Sequence, residues 1–122
     1  EGYYKYPGAK YARPDIPKEL AEKVAPIQVL ASAVNSAASC VTNGIGSVED
    51  TDKCFKIPCS RRSWAFEFAD EYGIHNIVNT LREKRARVPD WQKAFYVPDP
   101  LLLRMVEDGK IGKIVGEGFY KY

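Results

Sequence analysis

Gly116-Glu117-Gly118-Phe119-Tyr120-Lys121-Tyr122 closes the sequence, and its last six residues repeat the first six, Glu1-Gly2-Tyr3-Tyr4-Lys5-Tyr6. Only the Tyr3/Phe119 pair differs, and that exchange keeps the aromatic ring. Matching segments at both ends of a 122-residue chain point to a repeat, the feature that most changes how a fold is read. On this reading residues 1–17 are the tail of a preceding repeat and a linker, and residues 18–122 are one whole copy. Position 1 is Glu rather than an initiator Met, as expected of a piece of a longer polypeptide.

Working back from that tail, Ile111–Tyr122 is punctuated by glycine and unable to form a long helix. Before it, Asp99-Pro100 is a helix start, Asp as N-cap and Pro at the first helical position. That helix runs through Leu102, Met105 and Val106 to a stop at Gly109. Ile74, Ile77, Val78 and Leu81 share one face of another helix, which turns polar at Arg82 and closes by Pro89. The segment from Ser63 to Tyr72 reads as a helix with Ala65, Phe68, Ala69 and Tyr72 on one face, ended by Gly73. Ser47, with Glu49 and Asp50 at the positive end of the dipole, opens a helix expected to stop at Pro58. Residues 58–63 then form a loop. Ile27, Leu30, Ala31, Val34, Ala37, Ala38 and Val41 keep helical spacing from Pro26 to Thr42, with Gly44 as the left-handed stop. A short helix through Lys18, Glu19, Leu20 and Lys23 begins with Pro17 at its first position. The tyrosines and prolines ahead of it form an extended aromatic arm that packs on its own domain or a neighbour. No segment alternates strictly between apolar and polar residues, so the fold class is all-α, with about five or six short helices.

Hydrophobic content of 45% and charged content of 28% are those of a globular domain. A net charge of +2 is too small to argue for nucleic acid or an anionic membrane. The apolar-leaning stretch Ala25–Val41 is interrupted by Pro26, Gln28, Ser32, Asn35, Ser36 and Ser39, and cannot span a bilayer. Cys40, Cys54 and Cys59 are odd in number and contain no C-x-x-C pair. Free thiols in a reducing cytoplasm are expected, with Cys40 a small core hydrophobe.

Candidate chemistry is sparse. The glycines at 109, 112, 116 and 118 lack the spacing of a phosphate loop and follow no strand, so they read as turns. Arg82, Lys84, Arg85, Arg87 and Lys93 form a basic run, either a solvated helix end or an anion site. Arg61-Arg62 precede Trp64 and invite either a stacked pair or an anion contact. The candidate substrate-binding set is therefore Arg61, Arg62, Arg82 and Arg85. His75 has no second metal ligand or orienting partner at useful spacing. Glu49, Asp50 and Asp52 read as helix-start charges. No catalytic, cofactor-binding or metal-binding residue is assigned.

Asp99-Pro100-Leu101-Leu102-Leu103-Arg104-Met105-Val106-Glu107-Asp108-Gly109-Lys110-Ile111-Gly112, with Gly116–Tyr122 after it, resembles the closing signature of the 3-hydroxyacyl-CoA dehydrogenases. Gly46-Ser47-Val48-Glu49-Asp50-Thr51-Asp52-Lys53 and Phe66-Glu67-Phe68-Ala69-Asp70-Glu71-Tyr72-Gly73 fit the helical C-terminal domain of the same family. The resemblance covers roughly residues 20 to 122 and implies that domain's fold. Some members carry two helical copies in tandem, including archaeal fusions to an enoyl-CoA hydratase, which accounts for the repeated tail.

The family's NAD-binding Rossmann domain, with its G-x-G-x-x-G and catalytic His-Glu pair, has no counterpart in these residues. Its helical domain supplies an active-site Asn followed by Arg near the start of the long helix. Counting back from Ser47–Asp52 places these on Ile27 and Gln28, and Asn35 lies about two turns too far along. The resemblance thus implies a structural copy within an NAD-dependent (3S)-3-hydroxyacyl-CoA dehydrogenase of fatty-acid β-oxidation. It would pack against the other helical copy and the Rossmann domain, help form the acyl-CoA cleft and contribute to a homo-oligomer. The rival expectation is a stand-alone helical module binding CoA or another anion.

Overall fold

A computed structural model describes residues 17–23, 25–59 and 64–122. The expected tail and most of the linker in residues 1–17 lie outside the described residues, as do Arg61 and Arg62 and most of the 58–63 loop. Among the described residues six α-helices follow in order: α1 (Lys18–Glu22), α2 (Pro26–Thr42), α3 (Val48–Cys59), α4 (Ala65–Tyr72), α5 (Ile74–Arg87) and α6 (Pro100–Glu107). Two 3-10 helices, Asp90–Tyr96 and Lys113–Val115, complete the regular structure of the described residues. Strand-like pairing among the described residues is confined to the isolated bridges Gly112–Glu117 and Glu117–Lys121. The all-α architecture is thus observed.

α2 is the central element, packing against α3, α4, α5, α6 and the Asp90–Tyr96 segment. Its apolar spacing puts Ala31, Val34, Ala37 and Ala38 in the core, with Ile27, Leu30 and Val41 partly buried beside them. Three of those four buried residues are alanines, so α4 and α5 can come close to its backbone. Their side chains supply the bulk: Phe66 from α4, and Ile74, Ile77 and Leu81 from α5, all fully buried, with Leu102 from α6. The helix signals operate as expected at several ends. Ser47 Oγ accepts from the Asp50 N–H at 3.1 Å, and Asp99 Oδ1 accepts from the Leu101 N–H at 2.9 Å. Gly44 takes the left-handed conformation, φ +69°, just beyond the end of α2.

Several expectations need correction. Pro17 stands at the N-cap of α1, one position before the helix rather than first within it. α3 continues through position 58 to Cys59, beyond the expected stop. α4 begins at Ala65, with Trp64 extended at its N-cap. Its buried face is Ala65, Phe66, Phe68, Ala69 and Asp70, whereas Tyr72 is 38% exposed and stacks on Phe68 at 4.3 Å. Asp90–Tyr96 forms a 3-10 helix in a segment to which the sequence assigned no element. Cys40 is half-buried rather than fully in the core, and Cys54 is exposed.

Candidate functional site

Two features gather polar groups, and the first is the C-terminal tail. Trp64 offers no side-chain cap to α4, so the first N–H groups of that helix need partners from elsewhere. Asp52 of α3 supplies them, accepting from Phe66 N–H at 3.1 Å and Glu67 N–H at 3.3 Å. The Tyr120 hydroxyl donates to the same carboxylate at 2.9 Å. One turn further along α4, Asp70 accepts from the backbone N–H groups of Phe119 and Tyr120 at 2.8 and 2.9 Å. The Tyr122 hydroxyl completes its set at 3.0 Å. Asp52 and Asp70 are 5% and 1% exposed, so each tail contact is a part-buried hydrogen bond to an enclosed carboxylate.

Two glycines make this approach possible. A Cβ on Gly118 would lie 2.0 Å from Asp70 Oδ1, and one on Gly112 would lie 2.3 Å from the Asp70 carbonyl oxygen. Phe119 then sets its ring 4.2 Å from that of Phe66, and Lys110 pairs with Glu117 at 3.1 Å. Asp52 is therefore no helix-start charge of α3. It is a cap for the next helix and an anchor for the tail.

The electrostatics follow from enclosure. Burial lifts the Asp52 carboxyl above its ordinary value, outweighing the hydrogen bonds from Phe66, Tyr120 and Glu67, and the Glu67 charge adds to the rise. Burial also raises the Tyr120 phenol, followed by its bond to Asp52 and the charges of Asp52, Glu67 and Glu49. Tyr122 is raised in the same way, by burial first and then by Asp70. Such phenols stay protonated and donate.

The second feature is basic. Arg82, Arg85 and Ala86 share one side of the last turns of α5, and Lys93 folds back over them from the 3-10 helix. They line an open groove of about 340 Å³. Arg82 and Arg85 are thus brought together, with Lys93 joining them. Lys84 turns away, donating to the Gln28 carbonyl and lying 5.6 Å from the Tyr96 ring centre. Lys93 is already paired with Asp90 at 2.6 Å, and the groove sits at the negative end of the α5 dipole. Both features weaken its pull on an anion.

The remaining candidates are dispersed. Ile27 lies in the first turn of α2 against the core, with Gln28 beside it. Asn35 is committed to structure: it donates to the Val97 carbonyl at 2.9 Å and accepts from the Asp99 N–H at 2.8 Å. His75 is in the first turn of α5, its Nδ1 buried without a hydrogen-bond partner among the described residues. No group of three or more metal-ligating side chains occurs among the described residues. No described helix is long and apolar enough to cross a membrane.

The sequence reading missed Asp52 and Asp70 as site residues. A charged residue inside the apolar run Phe66–Asp70 was the available signal. Its partners lie 49 to 52 residues away and give no local pattern.

With this geometry in hand, the family comparison is decisive. The family model for the 3-hydroxyacyl-CoA dehydrogenase C-terminal domain matches residues 27–122. The chain belongs to that family. A 3-hydroxybutyryl-CoA dehydrogenase of Mycobacterium tuberculosis is 36% identical over 87 residues, covering 71% of this chain and 29% of the relative. The mitochondrial hydroxyacyl-coenzyme A dehydrogenase of Sus scrofa is 33% identical over 82 residues, covering 65% of this chain and 24% of the relative. Among solved structures, M. tuberculosis FadB2 superposes with a TM-score of 0.70 at 33% identity, over 77% of this chain and 32% of that one. The chain therefore spans about a third or less of the length of these relatives.

Proposed function

We propose that this chain is the non-catalytic helical domain of an NAD-dependent (3S)-3-hydroxyacyl-CoA dehydrogenase acting in cytoplasmic fatty-acid β-oxidation. In that enzyme it packs against a Rossmann domain and a second helical copy, helps form the acyl-CoA cleft and contributes to a homo-oligomer. Residues 1–17 are, on this reading, the tail of the preceding copy and its linker. The observation that carries the proposal is the use of the buried carboxylates within a fold of this family. Asp52 and Asp70 hold the tail, and Asp99 caps α6 while accepting from Thr42 Oγ1 at 2.5 Å. Acid–base catalysis requires a titratable group facing a reacting atom, and each of these three faces the protein's own backbone or hydroxyls.

The glycine-rich turn does not fit a dinucleotide. A pyrophosphate site needs free N–H groups and room for two phosphates. The N–H groups of Phe119 and Tyr120 already hold a carboxylate, and the space left by Gly118 is filled by it. Ile27, where the family's Asn would fall, has no hydrogen-bonding side chain. Support for a packing role comes from Val29, Trp91 and Phe95, exposed by 60%, 73% and 69%.

The test is direct. Purified chain mixed with NAD and (3S)-3-hydroxybutyryl-CoA should form no NADH, and turnover above background would overturn the proposal. Sedimentation should show self-association, and a clean monomer at high concentration would count against the packing role. A second reading, a module gripping CoA phosphates through Arg61, Arg62, Arg82 and Arg85, draws on the convergence of Arg82, Arg85 and Lys93. Calorimetry separates the two: micromolar CoA binding favours the module, and silence favours the scaffold.

A further inference from the structure

All but one of the contacts that seat the tail use atoms that Glu1–Tyr6 also carries. Glu117 accepts from the Gly112 N–H at 2.9 Å through its carbonyl and meets Lys110 at 3.1 Å through its carboxylate. Gly118 passes Asp70 where no Cβ fits. The N–H groups of residues 119 and 120 donate to Asp70, and the hydroxyls of Tyr120 and Tyr122 reach Asp52 and Asp70. Lys113 lies 5.2 Å from the Tyr122 ring centre. In Glu1-Gly2-Tyr3-Tyr4-Lys5-Tyr6 the matching residues are identical except Tyr3, which stands where Phe119 stands. Phe119 is half-buried, so the added hydroxyl is not forced into an enclosed apolar space. One bond is lost, from the Tyr122 N–H to the Gly116 carbonyl at 3.0 Å, because Gly116 lies outside the matched hexapeptide.

We infer that the cleft between Asp52 and Asp70 is a docking surface for a second copy of this chain, whose Glu1–Tyr6 takes the seat of Glu117–Tyr122. The recognised chemistry is a Glu-Gly-aromatic-Tyr-Lys-Tyr peptide. The glycine passes the carboxylate, two amides grip it, and two phenols close over both aspartates. A chain's own tail is tethered beside the cleft, at an effective concentration of about millimolar, and therefore holds it against free peptide. Exchange appears when the tethered tail is displaced. The inference rests on the tail geometry and the two hexapeptides, and is independent of the chain's place in a larger dehydrogenase.

Gly118→Ala in the otherwise intact chain displaces the tail, and labelled, amidated Glu-Gly-Tyr-Tyr-Lys-Tyr then reports on the cleft. Saturable binding is expected, at least about tenfold tighter than to the parent chain, since tethering is removed as a competitor. A peptide with Ala in place of Gly should bind at least about tenfold more weakly, as the same clash applies. In sedimentation the Gly118→Ala chain should associate at least about tenfold more tightly than the parent, and adding Gly2→Ala should return it to the parent's level. Binding of the Phe-containing peptide but not the Tyr-containing one would overturn the inference. So would a Gly118→Ala chain that associates no more tightly than the parent. Should Gly118→Ala fail to fold, Phe119→Tyr decides, since it makes the two hexapeptides identical. Its Tm should stay within about 2 °C of the parent, and a fall of more than about 5 °C, roughly 1 kcal/mol, would show that the Tyr-containing hexapeptide does not fit.

Discussion

The Asp52/Asp70 cleft and the Arg82/Arg85/Lys93 groove are both clusters of charge, and they do opposite things with it. In the cleft, two acids at 5% and 1% exposure are satisfied by four backbone N–H groups and two hydroxyls. In the groove, arginines remain in solvent and the lysine is paired with a neighbouring acid. Removing one partner from a buried set strands every group that depended on it, whereas an exposed charge is replaced by water. The difference teaches where this domain's stability is concentrated. Charge density along the sequence points to the basic run, but burial assigns the energetic weight to two isolated aspartates.

That contrast can be broken in order of size. Asp70→Ala leaves the part-buried Phe119 and Tyr120 N–H groups and the Tyr122 hydroxyl without their carboxylate, and should destabilise the chain by roughly 3 kcal/mol in a denaturant titration. Asp52→Ala removes the cap of α4 and the Tyr120 partner, with an expected loss of about 2 kcal/mol in the same titration. Arg82→Ala with Arg85→Ala should change stability by no more than about 0.5 kcal/mol, as expected of exposed charges. A larger effect there would erase the distinction between the two clusters.

The pH dependence sharpens it further. Tyr120 and Tyr122 have raised native values, so the unfolded chain ionises first as pH climbs through their ordinary value of 10.0. Their contribution is full below that value and is lost above it, so unfolding midpoints should fall at alkaline pH. Tyr120→Phe with Tyr122→Phe should flatten that fall. Asp52 has the same sign at the acid end: its share is full below its ordinary value of 3.8 and is lost as pH rises through its raised native value. Asp52→Asn should therefore remove a component of stability that favours acid, read from midpoints across that range.

How much of this was legible in the sequence depends on distance along the chain. The helices were readable because their signals are local. Ser47 caps three residues ahead, Asp99 two, and the α2 face repeats within a turn. The Asp90–Tyr96 segment was not, because a 3-10 helix lacks the 3.6-residue period that marks an amphipathic helix. Arg82 and Arg85 were legible as neighbours on one helix face, but the placement of Lys93 over them depends on the turn after Pro89. The cleft was least legible. Asp52 meets Phe66 across 14 positions and Tyr120 across 68, separations that only the packing of α3, α4 and the tail brings together. The repeated hexapeptide did mark the tail as a unit, although the aspartates that hold it carry no mark of their own.

The measurement closest to the central claim is amide hydrogen exchange at Phe119 and Tyr120, followed residue by residue by NMR. If Asp70 anchors the tail as a buried partner, both amides should exchange within about tenfold of the core amides of Ile77 and Leu81, opening only with the domain. Exchange of Phe119 and Tyr120 at unprotected rates while the core stays closed would contradict the account, because it would show a tail that leaves Asp70 without cost to the fold.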